Sequence, residues 1–130
     1  MYILSHDYIF YIMSEQSEKK IQAESFQWLW NNHPHTRGFF FHVPNGGSRN
    51  KIEAMQLKAS GVVPGIPDCL FISPINQKTY GFEFKTEKGL TSFNQQKIHH
   101  KWQNAGIEVF IIRSVEQFKE TITQLLPDSV

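Results

Sequence analysis

Asp68, Glu83 and Lys85 are the residues whose types and spacing could do chemistry. Asp68 follows Pro67 at the head of a short apolar run, Cys69 to Ile72. Glu83 and Lys85 lie two apart in the segment Tyr80 to Lys85. That segment alternates, so a strand sends Tyr80, Phe82 and Phe84 one way and Gly81, Glu83 and Lys85 the other. A hairpin-like connection between the two runs brings Asp68 alongside Glu83 and Lys85. Two carboxylates beside a lysine suit metal-assisted phosphodiester hydrolysis. Magnesium takes oxygen ligands and keeps several waters, so one or two carboxylates plus a phosphate suffice. The metal polarises the phosphate and acidifies water, and a lysine orients that water or stabilises developing charge. Glu-x-Lys alone is more often a solvated strand face, and Pro-Asp alone says less. The pairing, one strand and one turn apart, is what carries the reading.

Other candidates are weaker. Asn45, Gly46, Gly47, Ser48 and Arg49 form either a plain tight turn or a loop that sets backbone amides and Arg49 against a phosphate. His42 reads as a packed strand histidine. His99 and His100 have no partner at metal-ligand spacing and read as solvent- or groove-facing helix residues. Lys88, Lys97 and Lys101 make a modest basic edge or a solvated face. Cys69, the only cysteine, reads as a small buried hydrophobe. It excludes an internal disulfide and fits a reducing cytoplasm.

The elements that must position these residues follow from pattern and punctuation. Residues 17–32 are helical, with Ala23, Phe26, Leu29 and Trp30 on one face and Pro34 beyond the end. Gly38 to Val43 is an aromatic strand. Ile52, Met55 and Ala59 mark a short helix stopped by Gly61. Strands at Cys69–Ile72 and Tyr80–Lys85 flank a turn at Pro74 to Lys78. A helix from Ser92 to Ala105, closed by Gly106, precedes an apolar strand at Val109 to Ile112. Ser114 and Gln117 have capping-box spacing before a last amphipathic helix through Val115, Phe118, Ile122 and Leu125. The fold class is α/β: a small mixed central sheet flanked by helices.

Composition sets the outer bounds. The chain has 130 residues, 40% hydrophobic and 14% aromatic with eleven Phe. That suits one packed domain, divided as an extension at 1–16, the domain at 17–126 and a tail at 127–130. Net charge is only +1, which speaks against broad electrostatic grip on nucleic acid. The apolar start, Met1 to Met13, is too short to span a membrane and lacks the marks of a signal peptide. It is an added strand or helix, or a segment upstream of a start at Met13.

The motifs also resemble a known family. Pro67-Asp68 with Glu83-Phe84-Lys85 resembles the PD-(D/E)xK nucleases. The surroundings resemble the VRR-NUC (virus-type replication-repair nuclease) branch: His42 to Arg49, Gly61 to Asp68, Gly81 to Lys85, Leu90-Thr91-Ser92 with Gln95, and Ala105-Gly106. The resemblance spans about Ser17 to Phe118. It implies a restriction-endonuclease-like core, Asp68 and Glu83 as metal ligands with the Phe84 carbonyl, and Lys85 as catalytic lysine. Glu24 matches the helical glutamate that completes the acidic cluster. Gln95 matches the glutamine of the following helix and is preferred to Gln96, because Gln95, Ile98 and Trp102 share a stripe.

The cofactor implied is Mg2+, with Mn2+ substituting. The partner implied is DNA, branched four-way (Holliday) junctions above all, contacted by residues 45–49, Lys88 and Lys97 in the cytoplasm of a bacterial or phage-infected cell. A homodimer is expected, because two-fold symmetry matches paired cuts in a junction and the apolar content exceeds what a small core hides. The competing readings are a flap, end or nick nuclease of a phage replication or repair complex, and a binding module without turnover.

Overall fold

The computed structural model describes residues 6–44 and 50–127, with side chains from residue 17 onward. The strands are β1 (Phe40–His42), β2 (Cys69–Ile72), β3 (Thr79–Phe84) and β4 (Val109–Ile112). The helices are α1 (His6–Asn32), α2 (Lys51–Ala59), α3 (Phe93–Asn104) and α4 (Val115–Leu125), with a single 3-10 turn at Pro34–Thr36. One sheet runs in the order β1-β2-β3-β4. The first two pairings are antiparallel and the last is parallel. A parallel neighbour needs a crossover rather than a hairpin, and α3 is that crossover. The mixed α/β architecture expected from the sequence is the one observed.

The β2–β3 hairpin is closed by local chemistry. The Ser73 amide donates to the Lys78 carbonyl at 2.8 Å, and the Asn76 side-chain oxygen accepts from the Lys78 amide at 2.9 Å. On one sheet face Phe40, Phe71, Tyr80, Phe82 and Phe84 are buried together with Phe118 of α4 and Leu29 of α1. Phe118 meets Phe40 and Phe82 with ring centroids 5.5 Å apart in each case. This aromatic block anchors β3, the strand that carries the candidate chemistry.

Three expectations need adjusting. The helix ending at Asn32 starts at His6, so residues 6–13 of the apolar start belong to α1. Its buried stripe is also different. Leu29 is buried, but Ala23 and Trp30 are exposed, and the residue buried one turn before Leu29 is Ser25. A serine is small enough for close packing, so an apolar pattern does not show it. The first strand is shorter than Gly38 to Val43, since only Phe40–His42 pairs with β2. Among the described residues no helix is long and apolar enough to cross a membrane.

Candidate active site

The β2–β3 register pairs Cys69 with Phe82, and one step further along the same register sets Asp68 opposite Glu83. Directly opposed residues project on the same face of an antiparallel pair. Two features bring the chain in this close. An added Cβ on Gly81 would lie 2.8 Å from Pro67 and 3.3 Å from the Trp102 ring, so Pro67 lies over a strand position that only glycine leaves open. Gly65 has φ +92, and a Cβ there would meet the Asn94 carbonyl oxygen of α3 at 2.3 Å. The Gly65-Ile66-Pro67 segment is thereby wedged between β3 and the start of α3, and delivers Asp68 to the sheet. Asp68 is then fixed by its Oδ2, which accepts from the Phe84 amide at 2.7 Å.

Glu83 is 2% exposed. Its Oε2 accepts from Gln95 Nε2 at 3.1 Å, while Gln95 Oε1 accepts from the Ser92 amide at 2.8 Å. Ser92 returns the bond to the Gln95 amide, completing a capping box at the start of α3. Both ends of the Gln95 amide are thus committed, and its NH2 is held toward the carboxylate. Gln96 instead donates to Thr91, as the helical stripe implied. Capping-box spacing at Ser114 and Gln117 is met differently: Gln117 Oε1 accepts from the Arg113 amide.

The other Glu83 oxygen, Oε1, is buried with no hydrogen-bond partner among the described residues. His99 Nε2 stands 3.6 Å from it. Burial, the hydrogen bond and charge of Asp68, and the charge of Glu18 push the Glu83 carboxyl up to about 9, against the pull of Lys85. Burial lowers the His99 pKa, and Lys85 lowers it further against the opposite pull of Asp68. Burial also raises the Cys69 thiol, as do the charges of Asp68 and Glu83, so it stays protonated. Lys85 is 9% exposed, and its amide donates to the Ile112 carbonyl at 2.9 Å, extending the β3–β4 ladder.

The structure therefore gathers Asp68, Glu83, Lys85 and Gln95. Glu24 is not with them. Its side chain is 51% exposed and stands 3.9 Å from Lys20 on the outside of α1. The α1 glutamate that reaches the cluster is Glu18, whose charge acts on Glu83 and which lines the same cleft as Asp68. Glu18, Gln22, Ser25 and Leu29 share one helical row. The serine in that row hid it from an apolar pattern. His99, expected at the surface, is buried against Glu83. It follows Gln95 by one helical turn, which was the available signal. His42 lies at the sheet edge with Nδ1 2.7 Å from the Asp68 carbonyl oxygen. Lys88, Lys97, Lys101 and His100 are exposed, and residues 45–49 fall outside the described residues.

A divalent cation suits this donor set. Asp68 and Glu83 are hard oxygen ligands whose mutual repulsion a cation would relieve, and Glu83 Oε1 is a buried acceptor with no donor among the described residues. Among the described residues no three His, Cys, Asp or Glu side chains cluster as a metal cage, and magnesium does not require one. Beside Asp68 a cleft of about 850 Å³ opens between α1 and β1, with Glu18, Gln22, Phe26, Trp30 and Phe41 among its walls.

No family model matches the chain, and no curated protein matches it. Among solved structures, a VRR_NUC domain protein is similar in fold, with a TM-score of 0.68 over 83% of this chain and 86% of that one, at 16% sequence identity. The likeness suggested by the motifs thus holds at the level of the fold.

Proposed function

We propose that this chain is a Mg2+-dependent endodeoxyribonuclease. The observation that carries the reading is the buried Glu83 opposite Asp68, with one carboxylate oxygen left without a partner among the described residues. A buried carboxylate with one oxygen unsatisfied is costly unless a cation joins it, so the arrangement makes sense as a binding site. Asp68 and Glu83 would hold the ion, with the Phe84 carbonyl and with Glu18 in the role first assigned to Glu24. When bound, Mg2+ would neutralise the scissile phosphate and acidify water, with Mn2+ substituting.

The chain's own groups then have distinct tasks. Gln95 holds the Glu83 carboxylate in one orientation. Lys85, on the same strand face, stabilises charge that grows on the phosphate oxygens in the transition state. His99 packs against Glu83 as a neutral ring. Arg49 with its glycine loop, Lys88 and Lys97 would contact phosphates, which position a duplex without reading its sequence.

The substrate we favour is branched DNA cut by a homodimer. One such site cuts one strand, and a four-way junction needs two cuts on symmetry-related strands, which a two-fold dimer supplies. The near-neutral charge suits a reader of DNA shape. Labelled linear, flap and four-way DNA with Mg2+ form the test, with light scattering for the dimer. Cleavage that stops with chelator and favours four-way DNA is expected. Cleavage in the presence of chelator would sink the metal reading. A monomer that cuts linear and four-way DNA equally would leave a flap or end nuclease instead.

A further inference from the structure

Leu90 and Phe93 are 85% and 79% exposed, the most exposed large hydrophobic side chains among the described residues. Single exposed apolar residues need no explanation. This pair differs because the chain around it is held firmly. Arg113 Nη1 donates to the carbonyls of Thr86, Glu87 and Gly89 at 2.8, 3.3 and 2.7 Å. Gln96 Nε2 donates to the Thr91 carbonyl at 3.1 Å, and the Ser92–Gln95 capping box locks the first turn of α3. Leu90 and Phe93 are thus presented to solvent by a braced segment that begins at Lys85 and ends at Gln95, both part of the candidate site.

The charge beside them selects the partner. α3 has no acidic residue, and Phe93, Lys97 and Lys101 recur at four-residue spacing, which puts them on one exposed row. Neither lysine makes an ion pair among the described residues. An apolar tip leading into a lysine row is unlike a protein interface, where lysine is depleted. It suits a polyanion with stackable faces.

We propose that Leu90 and Phe93 form a wedge that enters a base step of nucleic acid at an unstacked point such as a branch or nick, while Lys97 and Lys101 follow the adjoining phosphates. The inference rests on the nucleic-acid reading above and adds the feature of the substrate that is recognised. Apolar wedges of this kind partly unstack the step they enter. An aromatic ring on a base is sequence-tolerant, so selection falls on deformability.

The test uses the full chain in chelator, so that no cutting occurs, with four-way DNA carrying 2-aminopurine next to the branch. The wild type should raise 2-aminopurine fluorescence on binding. Leu90→Ala with Phe93→Ala should abolish that rise and weaken binding about ten-fold. Phe93→Trp should retain both. Because the side chains are exposed, Tm should not move, and hydrolysis of bis(p-nitrophenyl) phosphate with Mg2+ should continue unchanged. Wild-type binding without a fluorescence rise would overturn the wedge and leave the nuclease reading standing. Failure of the wild type to bind any nucleic acid would overturn both. Loss of a dimer in the double variant would overturn the wedge in favour of a contact between copies.

Discussion

The two faces of β3 are built on opposite principles. On one, Tyr80, Phe82 and Phe84 are buried in an aromatic and aliphatic core. On the other, Glu83 and Lys85 are almost as inaccessible, but Glu83 keeps an oxygen without a partner among the described residues and a carboxyl pushed up to about 9. The first face gains free energy from burial at roughly 25 cal/mol per Å². The second holds a group that burial penalises. A six-residue strand can carry such a group because its reverse side anchors it. Stability and candidate chemistry thus reside in the same backbone, separated by one residue at a time.

The sharpest way to break this comparison is on the charged face. Glu83→Gln should reduce turnover by at least about a thousand-fold, roughly 4 kcal/mol of transition-state stabilisation. Folding and DNA affinity should persist, with affinity read directly by titration of uncut DNA. If cleavage survives, Glu83 is not part of the chemistry. On the aromatic face, Phe82→Ala should cost about 3–5 kcal/mol of unfolding free energy, measured by urea denaturation. A small loss there would mean the aromatic block is not the anchor.

The positioning groups should show smaller effects. Lys85→Ala should slow cleavage about a hundred-fold with affinity nearly kept, because its charge matters most in the transition state. Gln95→Ala should slow it about ten-fold, since Glu83 loses its orientation and not its charge. Gln95→Glu, if as active as wild type, would contradict an orienting amide.

A further effect concerns pH. The Glu83 carboxyl has a higher pKa folded than its ordinary 4.5. Its contribution to stability is therefore fully present below 4.5, where it is protonated in both states, and is lost as pH rises through about 9. In chelator, Tm should fall between pH 5 and pH 9. Glu83→Gln should flatten that slope, and Mg2+ should restore stability at the alkaline end. An equal slope in wild type and variant would place the titrating group elsewhere.

What the sequence determined by itself was whatever short-range periodicity encodes. The alternation of Tyr80 to Lys85 assigned the two faces of β3, and turn residues bounded β2 and β3 closely. The same residues identified Asp68, Glu83 and Lys85 as one group, since a hairpin leaves little freedom in register. The helical stripe also separated Gln95 from Gln96. What only the tertiary structure decided were relations across elements. The row of α1 that turns inward includes the buried Ser25, a residue that carries no hydrophobic signal, and that rotation exchanges Glu24 for Glu18. Whether His99 is exposed depends on how α3 lies over Glu83. Both answers come from packing between segments distant in sequence, where side-chain volume and steric fit decide, and neither quantity has a period along the chain.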